Sequence, residues 1–118
     1  MSFFQYQAGA LPPSLALDAS NNPIVAWQDD ASGNSEVYVR RYDGQGWSEM
    51  GPGSASGGGV SNSGSASTGP TLGYRAGLCR VAWMDAGPTS MDIYVRGIAD
   101  PNQNVIPEPG PGAGSTAE

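Results

Sequence analysis

Apolar and polar positions alternate along this chain in short runs separated by turn residues. In Glu36-Val37-Tyr38-Val39-Arg40-Arg41-Tyr42, Val37, Val39 and Arg41 fall on one side and Tyr38 and Arg40 on the other, the period of two that marks a strand. Short runs rich in Val, Ile, Tyr and Trp recur between Gly, Pro, Asn and Asp. The pattern predicts strand A over 14–18, strand B over 24–28, strand C over 36–42 and strand D over 47–50. Asp18-Ala19-Ser20-Asn21-Asn22-Pro23 is a turn whose Asn and Asp tolerate left-handed geometry. Residues 29–35 form a hairpin loop with Gly33-Asn34 at its tip, and Asp43-Gly44 opens another hairpin turn. Pro and Gly interrupt every window in which a helix would otherwise form.

The run is repeated. Val25-Ala26-Trp27-Gln28-Asp29 matches Val81-Ala82-Trp83-Met84-Asp85, and Glu36-Val37-Tyr38-Val39-Arg40 matches Asp92-Ile93-Tyr94-Val95-Arg96, both at an offset of 56. Pro13-Ser14-Leu15 matches Pro70-Thr71-Leu72 at 57, so the single insertion falls in the turn between Leu17 and Val25. Four antiparallel strands per unit at this period predict an all-β chain of two four-stranded β-propeller blades. The first blade spans 10–50, a Gly/Ser-rich segment 51–69, the second blade 70–100 and a Pro/Gly-rich tail 101–118. The second unit stops early: nothing after Arg96 corresponds to Trp47, so its strand D is missing. A spare segment at the N-terminus, Phe3-Phe4-Gln5-Tyr6-Gln7 within 1–9, is the candidate to fill that position in a neighbouring chain. Trp27 and Trp83, mid-strand in both units, are expected in the core between blades.

Composition sharpens this reading. With 18 Gly and 10 Pro among 118 residues and 38% apolar residues, the chain falls below the ~45–50% of an ordinary domain. A small chain buries little of its surface, so other copies of itself are the expected source of further burial. Three copies would complete six blades, the expected homo-oligomer, and four would complete eight. A net charge of −6 with five basic residues speaks against nucleic acid and anionic membrane surfaces, which attract Lys and Arg. No apolar stretch approaches membrane-spanning length, and the N-terminus lacks the basic and apolar regions of a signal peptide. Cys79 is the lone cysteine and reads as a small buried hydrophobe. The absence of histidine excludes Ser-His-Asp and Cys-His catalysis within the chain, and histidine metal sites. The five arginines are spread over both units instead of clustering, so the chain reads as a non-enzyme.

Residues 12–99 resemble the blades of bacterial secreted and cell-surface propeller repeats. Arg41-Tyr42-Asp43-Gly44-Gln45-Gly46-Trp47 resembles the Asp-box turn of sialidase-like propellers, a structural turn, with Asp43 and Trp47 one residue closer together. Asp43-Gly44-Gln45-Gly46-Trp47 is also similar to a turn in two-bladed bacterial fucose-binding lectins, whose trimers close six-bladed rings. These resemblances imply an extracellular or cell-surface location and a lectin-like module. They also leave a second reading, the terminal piece of a longer tandem-repeat surface protein, and a remoter one, a fragment of a sialidase-like glycosidase.

Strand direction gathers the candidate chemistry. The B–C loops and the segment between blades share one end of the sheets, and the A–B and C–D turns share the other. The first end carries Asp29, Asp30, Asn34 and Asp85. Their oxygens suit sugar hydroxyls, a protein ligand or calcium; alternatively, they accept hydrogen bonds from their own loops and fix the hairpins. Trp47, at a turn exit near the rim, is a candidate for stacking on a sugar or for packing.

Overall fold

The computed structural model describes residues 12–30 and 33–101 of the chain. Residues 3–7, expected to complete a neighbour's sheet, and most of the tail lie outside the described residues. The described chain is all-β, in two antiparallel sheets. The first runs β1 (Ser14–Leu17), β2 (Pro23–Asp29), β3 (Glu36–Tyr42), β4 (Trp47–Glu49), in that order. The second runs β5 (Ala66–Arg75), β6 (Leu78–Ala86), β7 (Met91–Ala99). The sequence repeat is a repeat of register: Trp27 opposes Tyr38 and Val25 opposes Arg40 in one sheet, as Trp83 opposes Tyr94 and Val81 opposes Arg96 in the other.

Two expected boundaries shift. The second sheet has three strands among the described residues, in line with the strand D missing from its sequence. Its β5 starts at Ala66 instead of residue 70, reaching back through a bulge between Thr68 and Thr71, where Gly69 takes a φ of +65°. Strand A ends at Leu17 because Asp18 leaves the ladder. Its Oδ1 accepts from Ser20 N at 2.8 Å and Asn22 N at 2.9 Å, with Asn21 at φ 65°. The second sheet turns the same corner on Ala76 and Gly77 alone, both at positive φ, which accounts for the insertion in the first unit.

The Gly/Ser-rich segment between the sheets is held by long-range bonds as well as by its own turns, such as Ser54 N to Gly51 O and Gly59 N to Ser56 O. Val39 N donates to Ser54 O and Val60 N to Val37 O, each at 2.8 Å. The segment thereby extends the edge bonding of β3 beyond the reach of the short β4. Ser54 Oγ accepts from Met50 N at 2.9 Å and donates to Val39 O at 2.8 Å. Two carboxylates clasp the ends. Glu49 accepts from Ser56 Oγ at 2.7 Å, Ala55 N at 2.9 Å and Gly53 N at 3.1 Å, and the Ser56 bond, then the amides, hold its carboxyl below the usual range. Glu36, buried, accepts from Ser61 Oγ at 2.6 Å and Ser63 N at 3.1 Å. At Gly59, φ is +70° and a Cβ would overlap the Val37 carbonyl oxygen and the Tyr38 ring.

Alternation gives each sheet two faces. In the first, Leu15, Leu17, Val25, Trp27, Tyr38 and Arg40 share a tryptophan face, and Ile24, Ala26, Val37 and Val39 an aliphatic face. The core joins the aliphatic face of the first sheet, with Met50 and Val60, to the tryptophan face of the second, through Cys79, Val81 and Trp83. Leu72, Tyr74, Tyr94 and Ile98 pack at its margin. Trp83 therefore sits between the sheets as expected. Trp27, equally buried, points to the other side of the first sheet, where it stacks on Tyr38 at 5.7 Å, and so lies outside that core. Polar seams run beside the apolar contact: Leu72 N donates to Ser14 Oγ at 3.0 Å and Gly69 N to Gln28 Oε1 at 2.9 Å.

Gly59→Ala is expected to lower stability by more than about 1 kcal/mol, because the new Cβ meets backbone in a left-handed conformation. Gly64→Ala, in the same segment with open space around it, is expected to cost less than about 0.5 kcal/mol. Urea unfolding of the two variants checks this; equal losses would contradict the ordered segment.

Candidate functional site

The end of the sheets that carries the β2–β3 loop is assembled from both units. Asp29 closes β2 opposite Glu36, and Asp85 stands near the end of β6 opposite Asp92. Ser67 N donates to Ser35 O at 2.8 Å, which ties the start of β5 to the loop before β3. Asn34, Ser67 and Asp85 are thus gathered at one end, as strand direction requires.

Two of the gathered groups are engaged within the fold. Asn34 Nδ2 donates to Ser65 O at 2.8 Å, with Ser63 O, Ser35 O and Glu36 Oε2 farther off at 3.4–3.5 Å. Its amide pins the final turns of the connecting segment to the hairpin loop. Asp85, 8% exposed, accepts from the buried Ser67 Oγ at 3.2 Å. Asp30 is exposed and Asp29 half-buried, so among the four candidate residues at this end Asp30 is the most open to solvent. Among the described residues, no group of three His, Cys, Asp or Glu side chains is placed to hold a metal ion.

Trp47 lies elsewhere. It pairs with Tyr42 at the start of β4, and the two rings meet edge-on at 5.5 Å. The β3–β4 turn before it is closed by Asp43, whose Oδ1 accepts from Gln45 N and Gly46 N at 2.9 Å each, while Asp43 N donates to Gly46 O at 3.0 Å. Those amides hold the Asp43 carboxyl below its usual range. The run from Asp43 to Trp47 therefore acts as a hairpin clip, at the opposite end from Asp29 and Asp30.

Sequence reasoning missed two features. One is the carboxylate clasp of Glu36 and Glu49; its only sequence signal is the acid at the first position of each strand C, Glu36 and Asp92. The other is a cleft of about 230 Å³ between Gly51, Pro52 and Ser54 and the outer strand β7 at Arg96, Gly97 and Ile98. In the first sheet the equivalent residues Arg40, Arg41 and Tyr42 pair with β4, so the cleft borders the position a fourth strand would take. Arg96 Nη1 crosses its wall to donate to Val60 O at 2.7 Å.

The remaining reactive groups are quenched by burial. Cys79 is fully buried, and desolvation, with the Asp100 carboxylate adding to it, pushes its thiol up to about 12. Burial first, then its bond to Asp100 at 2.7 Å, raises the Tyr74 hydroxyl to about 12. Neither is ionised near neutral pH.

No protein-family model matches the chain, and no match was found among curated proteins or solved structures.

Asn34→Ala is expected to cost about 1–2 kcal/mol, since it leaves the Ser65 carbonyl without its donor. Asp30→Ala is expected to stay within about 0.5 kcal/mol. Urea midpoints of both variants test this division; a larger loss for Asp30→Ala would reverse the roles assigned here.

Proposed function

We propose that the chain is a non-catalytic propeller module: two blades that self-assemble with further copies into a closed ring. Three copies make six blades and four make eight. One observation carries this reading. The two repeat units stack directionally, the tryptophan face of the second on the aliphatic face of the first, which is the way successive blades of a propeller meet.

The binding end in this reading is the one with Asp29 and Asp30. The exposed Asp30 and the half-buried Asp29 there accept hydrogen bonds from sugar hydroxyls or from a protein surface, and calcium is an alternative occupant, through oxygen ligands. A ring presents each weak site three or four times on one side, and avidity then supplies affinity. The second sheet, three-stranded among the described residues, supports the reading too, since an outer strand from another segment would complete it.

Light scattering on a sizing column tests it. The expected mass is three, or alternatively four, times the 12.1 kDa of the chain. A monomer would overturn the ring and favour the other reading, a terminal piece of a longer propeller array.

A further inference from the structure

Inside the chain, one interface joins two surfaces, and the repeat supplies a second copy of each. Leu72, Val81, Trp83, Tyr94 and Arg96 lie on the face that the second sheet turns to the first. Their repeat equivalents are Leu15, Val25, Trp27, Tyr38 and Arg40, the outward face of the first sheet. The receiving residues Ala26, Val37 and Val39 are fully buried. Their equivalents Ala82, Ile93 and Val95 lie on the outward face of the second sheet.

Both outward faces keep apolar character where solvent would favour polar side chains. On the second sheet Ile93 is 65%, Met91 58% and Met84 38% exposed. On the first, Leu15 is 64% and Leu17 51% exposed at the rim of the buried Trp27–Tyr38 stack. Apolar side chains grouped on one exposed face mark an interaction surface. A polar detail repeats as well. Ser14 Oγ accepts from Leu72 N across the internal interface, and Thr71 puts a hydroxyl at the repeat position of Ser14.

We infer that a second copy of this chain docks head-to-tail, with its Leu15/Leu17/Val25 face on the Met84/Met91/Ile93/Val95 face of the first copy, repeating the interface already present within the chain. The contact is heterologous, so it is the kind that closes a ring or grows a filament, not the self-complementary contact of a two-fold dimer. The inference rests on the ring reading above and specifies its interface. The opposing faces differ in kind: one presents Leu15 and Leu17 beside the buried Trp27–Tyr38 stack, the other the smaller Ala82 and Val95 with flexible methionines.

Complementation tests it. Leu15→Glu disables one face and Ile93→Glu the other, both at exposed positions, and circular dichroism establishes that each variant retains its sheet. Leu17→Glu and Met91→Glu are the substitute pair should either fail to fold. Each variant alone is expected to fall from the ring mass to a single chain. Mixed one to one, they are expected to form a dimer, because the Leu15→Glu chain keeps a working aliphatic face and the Ile93→Glu chain a working tryptophan face. If the intact chain is oligomeric and both variants keep that mass, the ring stands and this interface is wrong. If Leu15→Glu alone remains a dimer while Ile93→Glu is a monomer, two aliphatic faces meet symmetrically and the head-to-tail contact is overturned. A monomeric intact chain overturns both readings.

Discussion

Everything in this fold depends on one apolar contact, the tryptophan face of the second sheet against the aliphatic face of the first. Val81 and Trp83 bring the larger surface, and Ile24, Ala26, Val37 and Val39 receive it. A sheet with an apolar face must bury that face against another element. Stacked, each buries one face. The contact has direction, because the two faces carry different residues, and the repeat places the equivalents of each face on the two outer surfaces.

The connecting segment enables that stack. It must cross from the outer strand of one sheet to the first strand of the next, and its glycines allow the close approach to β3 that Val37 O and Tyr38 enforce at Gly59. Partners outside add to its own turns: Glu49 and Glu36 take up its amides and hydroxyls, and Ser54 and Val60 are buried beside the core. The same residues form one wall of the cleft along β7. The segment therefore touches both the candidate end, through Asn34, and the outer edge of the second sheet, through Arg96.

Much of this was legible in the sequence. The offset between the two Val-Ala-Trp runs fixed the strand positions, because period-two patterning is local and the repeat doubles the signal. The gathering of Asn34 and Asp85 at one end followed from strand direction alone. The order of the Gly/Ser segment was not legible, because it is set by partners 15–25 residues away and composition reports only local freedom. Trp27 and Trp83 look alike in sequence, yet one lies between the sheets and the other on an outer face. That difference arises from which unit comes first in the stack, and no local pattern encodes it. Asn34 and Asp85 carry residue types suited to a ligand but have their hydrogen bonds within the protein, a distinction that only the partners Ser65 and Ser67 reveal.

The most direct measurement is the thermal midpoint of the intact chain across a hundredfold range of concentration. Copies that complete one another's stacking unfold by mass action, so the midpoint is expected to rise with concentration, and Ile93→Glu should remove that dependence. A midpoint that stays constant across the range would show that each chain is complete in itself and would contradict the account.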